Sequence, residues 1–168
     1  MDDHRPEPPP RGDERATLLG FLDFLRATIE FKLEDLDDEQ VRRPSVPPST
    51  MTLLGLVKHL TAVERHWFQY VFLGDDVPPS WDREDPDADW RIEPHETTAG
   101  ILDAYRAQAE ISNGIAREHD LDEPQRRTLH HHDVVRLRWI LTHMIEETGR
   151  HAGHADLLRE AIDGRTGE

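Results

Sequence analysis

Cysteine is absent from this chain. That excludes disulfides, a cysteine nucleophile and thiolate metal ligands. Any metal must be held by His, Asp, Glu and water, and any thiol chemistry must take its thiol from a small molecule. No apolar run approaches the roughly 18 residues that cross a bilayer, so no membrane span is expected. Positive charge is scarce: 20 Lys and Arg stand against 35 Asp and Glu, a net charge of -15. Nucleic acid and anionic membrane surfaces are bound by clustered cations, so this balance argues against both. Residues 1–15 are acidic and proline-rich with no apolar h-region, which argues against a signal peptide and makes a cytoplasmic location the default expectation. No stretch alternates at period two, so no sheet is expected. A Gly-rich phosphate loop, a Gly-x-Ser-x-Gly elbow and a His-Glu-x-x-His motif are missing too.

What is present is helical periodicity. The 168 residues suffice for one domain with a proper core. Residues 1–12 read as a disordered or extended tail, and residues 13–168 as the domain. Asp13 is a candidate N-cap for a first helix with the stripe Leu18, Phe21, Leu22, Leu25, Ile29 and Leu33. Residues 37–48 read as a loop. Ser49 or Thr50 is the expected cap of a second helix, carrying Leu53, Leu56, His59, Leu60, Val63, Trp67 and Tyr70 inward and stopped by Gly74. The acidic, proline-containing segment 75–95 forms a long connection, in which Trp81 and Trp90 point to a loop that folds over something. A third helix starts at Thr97 or Thr98, and a fourth runs from about Asp133 to Ile162, ended by Gly164. The expected fold is all-α, a four-helix bundle with long inter-helix connections.

The last helix carries an anomaly. His143, Glu147 and His151 follow at steps of four, and His154 three later, on the side where Ile140, Met144 and Leu158 make an apolar seam. Burying a carboxylate there costs several kcal/mol unless a positive charge answers it. A divalent metal answers it; so does a hydrogen-bonded polar layer with an Arg partner. Glu147 and His151 of the last helix with His59 of the second make a three-ligand set, leaving a fourth position open as in catalytic zinc sites. The same set suits ferrous iron or nickel. Taken alone, His59 reads first as a partly buried histidine bonded to a neighbouring carbonyl. His154 and His66 are candidates for proton handling, His154 beside the ligands and His66 along the same cavity. His143 reads as a structural hydrogen-bonding residue. The run His130-His131-His132 cannot aim at one point and reads as a loop feature that captures metal adventitiously.

The segments Thr52-Leu53-Leu54-Gly55-Leu56-Val57-Lys58-His59-Leu60 and Val63-Glu64-Arg65-His66-Trp67-Phe68 resemble the second helix of DinB-like proteins, in the actinobacterial branch of mini-circle and mycothiol-dependent proteins. Leu137 to Thr148, then His151 to Glu160, resemble that branch's last helix. The resemblance implies a DinB/YfiT-like bundle with one metal ligand on the second helix and two on the last. Many members carry His at both last-helix positions; here the earlier one is Glu147. It further implies a divalent ion, zinc foremost, and a transferase that activates a low-molecular-weight thiol such as mycothiol against a small electrophile. The rival expectations are a metal-dependent hydrolase using a metal-activated water and a non-catalytic, stress-associated metal-binding protein. Apolar residues on the first and third helices leave a homodimer open.

Overall fold

In a computed structural model, residues 4–128 and 134–167 are described. Four long helices form the bundle: α1 Glu14–Phe31, α3 Leu53–Arg65, α4 Thr98–Glu118 and α5 Leu137–Asp163, with a short α2 Asp38–Arg42 between the first two. Arg65 and His66 both keep helical dihedrals, so α3 runs straight into a π-helical segment, His66–Leu73. Among the described residues there is no strand, only an isolated bridge between Pro124 and Arg136. α1 packs chiefly on α5 and α3 chiefly on α4, while α3–α5 and α1–α4 contacts close the ring.

The helix ends follow local chemistry. Asp13 accepts from the Ala16 amide at 2.8 Å and starts α1 as expected. α3 is capped by Thr52, whose hydroxyl accepts from the Gly55 amide at 3.0 Å. Ser49 accepts instead from the Met51 amide, in a turn before the helix. Thr97 caps α4. α2 lies where a loop was expected: Asp37 and Gln40 form a reciprocal capping box, a signal hidden in a segment with one buried apolar residue, Val41. α5 begins at Leu137, and Asp133 and the three-histidine run lie outside the described residues. Gly74 and Gly164 have φ of 74° and 79° and end their helices in the left-handed conformation. Residues 4–9 carry no regular structure and lie against α1, where Arg5 donates to the Thr28 hydroxyl at 3.1 Å and lies over the Phe24 ring, and a turn at residues 10–11 leads into the helix.

The core has two apolar halves. One holds Leu22, Phe68, Phe72, Leu137, Ile140 and Met144. The other holds Ile29, Leu53, Leu56, Leu60, Tyr105 and Leu158. Between them every long helix contributes buried polar groups: Arg26, Glu64, Gln108, Ser112, Asn113, Thr148 and His151. Arg26 takes the inward place expected of an apolar residue, while Phe21, placed in the stripe by periodicity, is 48 % exposed. A belt of buried polar groups crossing a bundle must be satisfied internally, and it is in this belt that the chemistry-bearing residues meet.

Candidate metal centre

α5 carries Glu147 and His151 one turn apart, and α3 brings His59 across from the facing helix. His151 is buried, and His59 and Glu147 are half-buried. His59 Nε2 stands 3.4 Å from Glu147 Oε1, and His151 Nε2 stands 3.3 Å from the same oxygen. One ligand atom from each of the three residues falls within 4.8 Å of the others. Charge-assisted hydrogen bonds are shorter, about 2.7–2.9 Å. Ligand atoms about 2.1 Å from a tetrahedral ion stand about 3.4 Å apart. Two of the three separations match that spacing, the third lies within 4.8 Å, and the donor set suits a divalent ion. The Arg partner of the rival polar-layer reading is also present, but on the outer side: Arg150 approaches Glu147 Oε2 at 3.5 Å and is 56 % exposed. Oε1 is left to the two imidazoles.

Each imidazole has a second partner that leaves Nε2 for the centre. His59 Nδ1 lies 2.7 Å from Asp89 Oδ2, and the Trp90 ring stacks on the His59 ring. His151 Nδ1 lies 3.2 Å from His154 Nδ1. The electrostatics are matched. Hydrogen bonds from His151 and then His59 hold the Glu147 carboxyl well below the usual carboxylate range. Burial pulls the His59 imidazole down, but hydrogen bonds to Asp89 and Glu147 outweigh it and the net shift is upward. His154 is held below the ordinary histidine value by burial, then by the proximity of His151 and Arg150, so it is suited to stay neutral and accept from His151.

The structure thus brings His59, Glu147, His151 and His154 together. His66 sits apart from them in an aromatic layer, its ring stacked on Tyr70 and tilted against Trp81 at 5.4 Å. His143 stacks on Trp139 and meets the edge of Trp67, with Nδ1 3.6 Å from Glu146. Of the two loop tryptophans, Trp90 stacks on His59 and Trp81 lies tilted against His66. Asp89 is the residue that sequence reasoning missed. It stands in a segment so rich in acids that no spacing singles it out, 30 residues from the histidine it meets.

Burial pushes His66 from 6.5 to about 4, and its Nδ1 is buried with no hydrogen-bond partner among the described residues. The unfolded chain takes up a proton near the ordinary value, and the folded chain refuses it until about 4. Stability is therefore expected to fall as pH drops through that window, by roughly 1–2 kcal/mol once partial exposure is allowed for. His66→Gln should flatten that part of the profile, checked by urea midpoints at about pH 7 and about pH 4.5. Equal slopes in the two proteins would contradict the assignment of a neutral, buried imidazole.

The family model of mycothiol-S-transferase matches residues 17–164. No curated protein matches the chain significantly. The matched span runs from the first turn of α1 to the glycine that ends α5, and so takes in the whole bundle and all three converging side chains. The chain belongs to the mycothiol-S-transferase family, within the DinB/YfiT-like superfamily.

Proposed function

We propose that the protein is a metal-dependent thiol S-transferase in which His59, Glu147 and His151 hold a divalent ion. The observation that carries this reading is the convergence of two imidazoles and a carboxylate at ligand spacing on a chain with no cysteine of its own. The family match supports a thiol substrate, mycothiol or a close relative. Zinc is the leading ion, because a neutral-imidazole and carboxylate set with an open fourth position is its usual catalytic arrangement; nickel and iron accept the same donors. When bound, the ion lowers the pKa of a coordinated thiol and so supplies the nucleophile at neutral pH.

The chain's own groups do the rest. Glu147, ionised across the physiological range, contributes the single negative charge of the ligand set. His154 Nδ1, accepting from His151, holds that ring with Nε2 toward the centre and has no second lone pair for the thiol proton. His66, neutral and set among the Tyr70 and Trp81 rings, is the candidate for a proton-accepting contact with substrate. In the transfer a sulfur–carbon bond forms and the thiol proton passes to base or solvent; an alkyl halide loses halide with its electron pair, whereas an epoxide oxygen or the α-carbon of an activated alkene keeps the pair and takes up a proton. A cytoplasmic location suits this reading, because low-molecular-weight thiols are kept reduced there.

The test is conjugate formation. Protein reconstituted with zinc is incubated with mycothiol and a panel of small electrophiles (an alkyl halide, an epoxide and an activated alkene), with the thioether read by mass spectrometry. Thioether is expected only when protein, metal and thiol are all present. Electrophile consumption at the same rate without thiol would favour a hydrolase with water as nucleophile. No turnover with a firmly bound ion would favour a non-catalytic metal protein.

A further inference from the structure

The connection between the π-helical segment and α4 reaches the centre with three consecutive residues. Asp89 Oδ2 lies 2.7 Å from His59 Nδ1. The Trp90 ring lies on the His59 imidazole, with centroids 3.9 Å apart and 14° between planes. The Arg91 carbonyl accepts from Lys58 Nζ at 2.7 Å. All three contacts depend on how closely the loop backbone sits against α3. One turn before His59, a Cβ on Gly55 would stand 2.7 Å from the Trp90 carbonyl oxygen. The loop rests on the helix at a position without a side chain, and this brings Asp89 within reach of the ring.

Asp89 is 3 % exposed, and its second oxygen is buried without a hydrogen-bond partner among the described residues. Burying a carboxylate with one oxygen unanswered is destabilising, and an apolar side chain of similar size would serve packing better. The charge has a use at its other oxygen. A neutral imidazole has one N–H; drawing it to Nδ1 leaves the Nε2 lone pair directed at the space shared with Glu147 and His151.

We infer that Asp89 is the positioning residue of the metal centre, fixing His59 in its Nδ1–H form and aiming Nε2 at the ion, with Gly55 and Trp90 holding it there. The inference rests on the metal-centre reading of His59, Glu147 and His151. Asp89 touches no substrate; it acts through His59.

Zinc titrations against a chromophoric chelator test this on the full chain, comparing wild type with Asp89→Asn and Gly55→Ala, each checked for helical content by circular dichroism. Asn keeps the shape and an acceptor but loses the charge, and is expected to weaken zinc binding by about 10–100-fold. Gly55→Ala removes no polar group and is expected to weaken zinc several-fold by lifting the loop. A second readout does not depend on any variant folding: in long-range nitrogen–proton spectra of the zinc-loaded wild type, His59 must carry its proton on Nδ1. Unchanged affinity in a folded Asp89→Asn protein, or a proton on Nε2, would overturn the inference while leaving the metal centre standing. Failure of the wild type itself to bind any of zinc, nickel and iron would overturn the metal-centre reading, and this inference with it.

Discussion

Replacing His151 by alanine is expected to abolish stoichiometric metal binding and leave the bundle folded. His151 is the most buried of the three converging residues, 5 % exposed, and its Nε2 shares Glu147 Oε1 with His59. Losing it leaves one imidazole and one carboxylate, a donor pair that water and buffer compete with on equal terms. The bundle has reasons to survive. Alanine is a better helix former than histidine, and a loss of roughly 1–3 kcal/mol is what a single buried substitution costs, against a domain stability of about 5–15 kcal/mol. The measurement is elemental analysis of tag-free protein prepared without a chelating column, because the His130-His131-His132 run invites adventitious metal. The expected result is near one equivalent in the wild type and none in the variant. Metal retained by the variant would move the site elsewhere. A wild type that takes up no ion after incubation with zinc, iron or nickel would leave the three side chains as a hydrogen-bonded polar layer and remove the mechanism of thiol transfer.

How much of this was legible depended on whether a feature had a period. Glu147 and His151 stand one turn apart on one helix, so their shared face is written in the sequence, and His59 stands in the seam of a second helix with apolar neighbours on both sides. Gly74 and Gly164 mark helix ends because few other residues adopt their dihedrals. Asp89 and Trp90 have no such marker. Their position depends on a loop backbone lying against Gly55, a tertiary contact between segments with unrelated patterns. The π-helical stretch His66–Leu73 was invisible for another reason: its residues keep an amphipathic pattern, and the extra residue per turn changes which of them face inward without changing the composition. Phe21 and Arg26 show the limit of periodicity itself. Both lie near the edge of the α1 stripe, and hydropathy puts the phenylalanine inside. The structure puts the arginine inside instead, because α3 supplies a carboxylate to receive it.

That pair predicts the largest loss of stability. Arg26 Nε and Nη2 donate to the two oxygens of Glu64 at 2.7 Å each, and Nη1 donates to Asn113 Oδ1 at 2.8 Å and Asp23 Oδ1 at 2.7 Å. Arg26 is 4 % exposed and Glu64 1 %. Burial pulls the Arg26 guanidinium down, but Glu64 outweighs it, so the group stays charged and cannot escape by giving up its proton. Glu64→Ala therefore leaves Nε and Nη2 of a buried cation unanswered, with only Asp23 and Asn113 still on Nη1, and is expected to cost about 3 kcal/mol, read as a lowered urea midpoint. Replacing both partners, Arg26→Met with Glu64→Leu, removes the desolvated charges together and is expected to recover most of that loss. A single substitution costing under about 1 kcal/mol would show that the pair contributes nothing beyond what water supplies. The pair joins α1 to α3 in the same polar belt as His59, Glu147 and His151, little more than a turn beyond His59. Fixing the rotation of α3 about its axis is what a bidentate, fully buried bridge does that an apolar contact does not. The double variant separates the two roles: if the bridge serves only stability, its zinc affinity stays at the wild-type value, and if it also sets the angle at which His59 meets Glu147 and His151, the affinity falls while the urea midpoint holds.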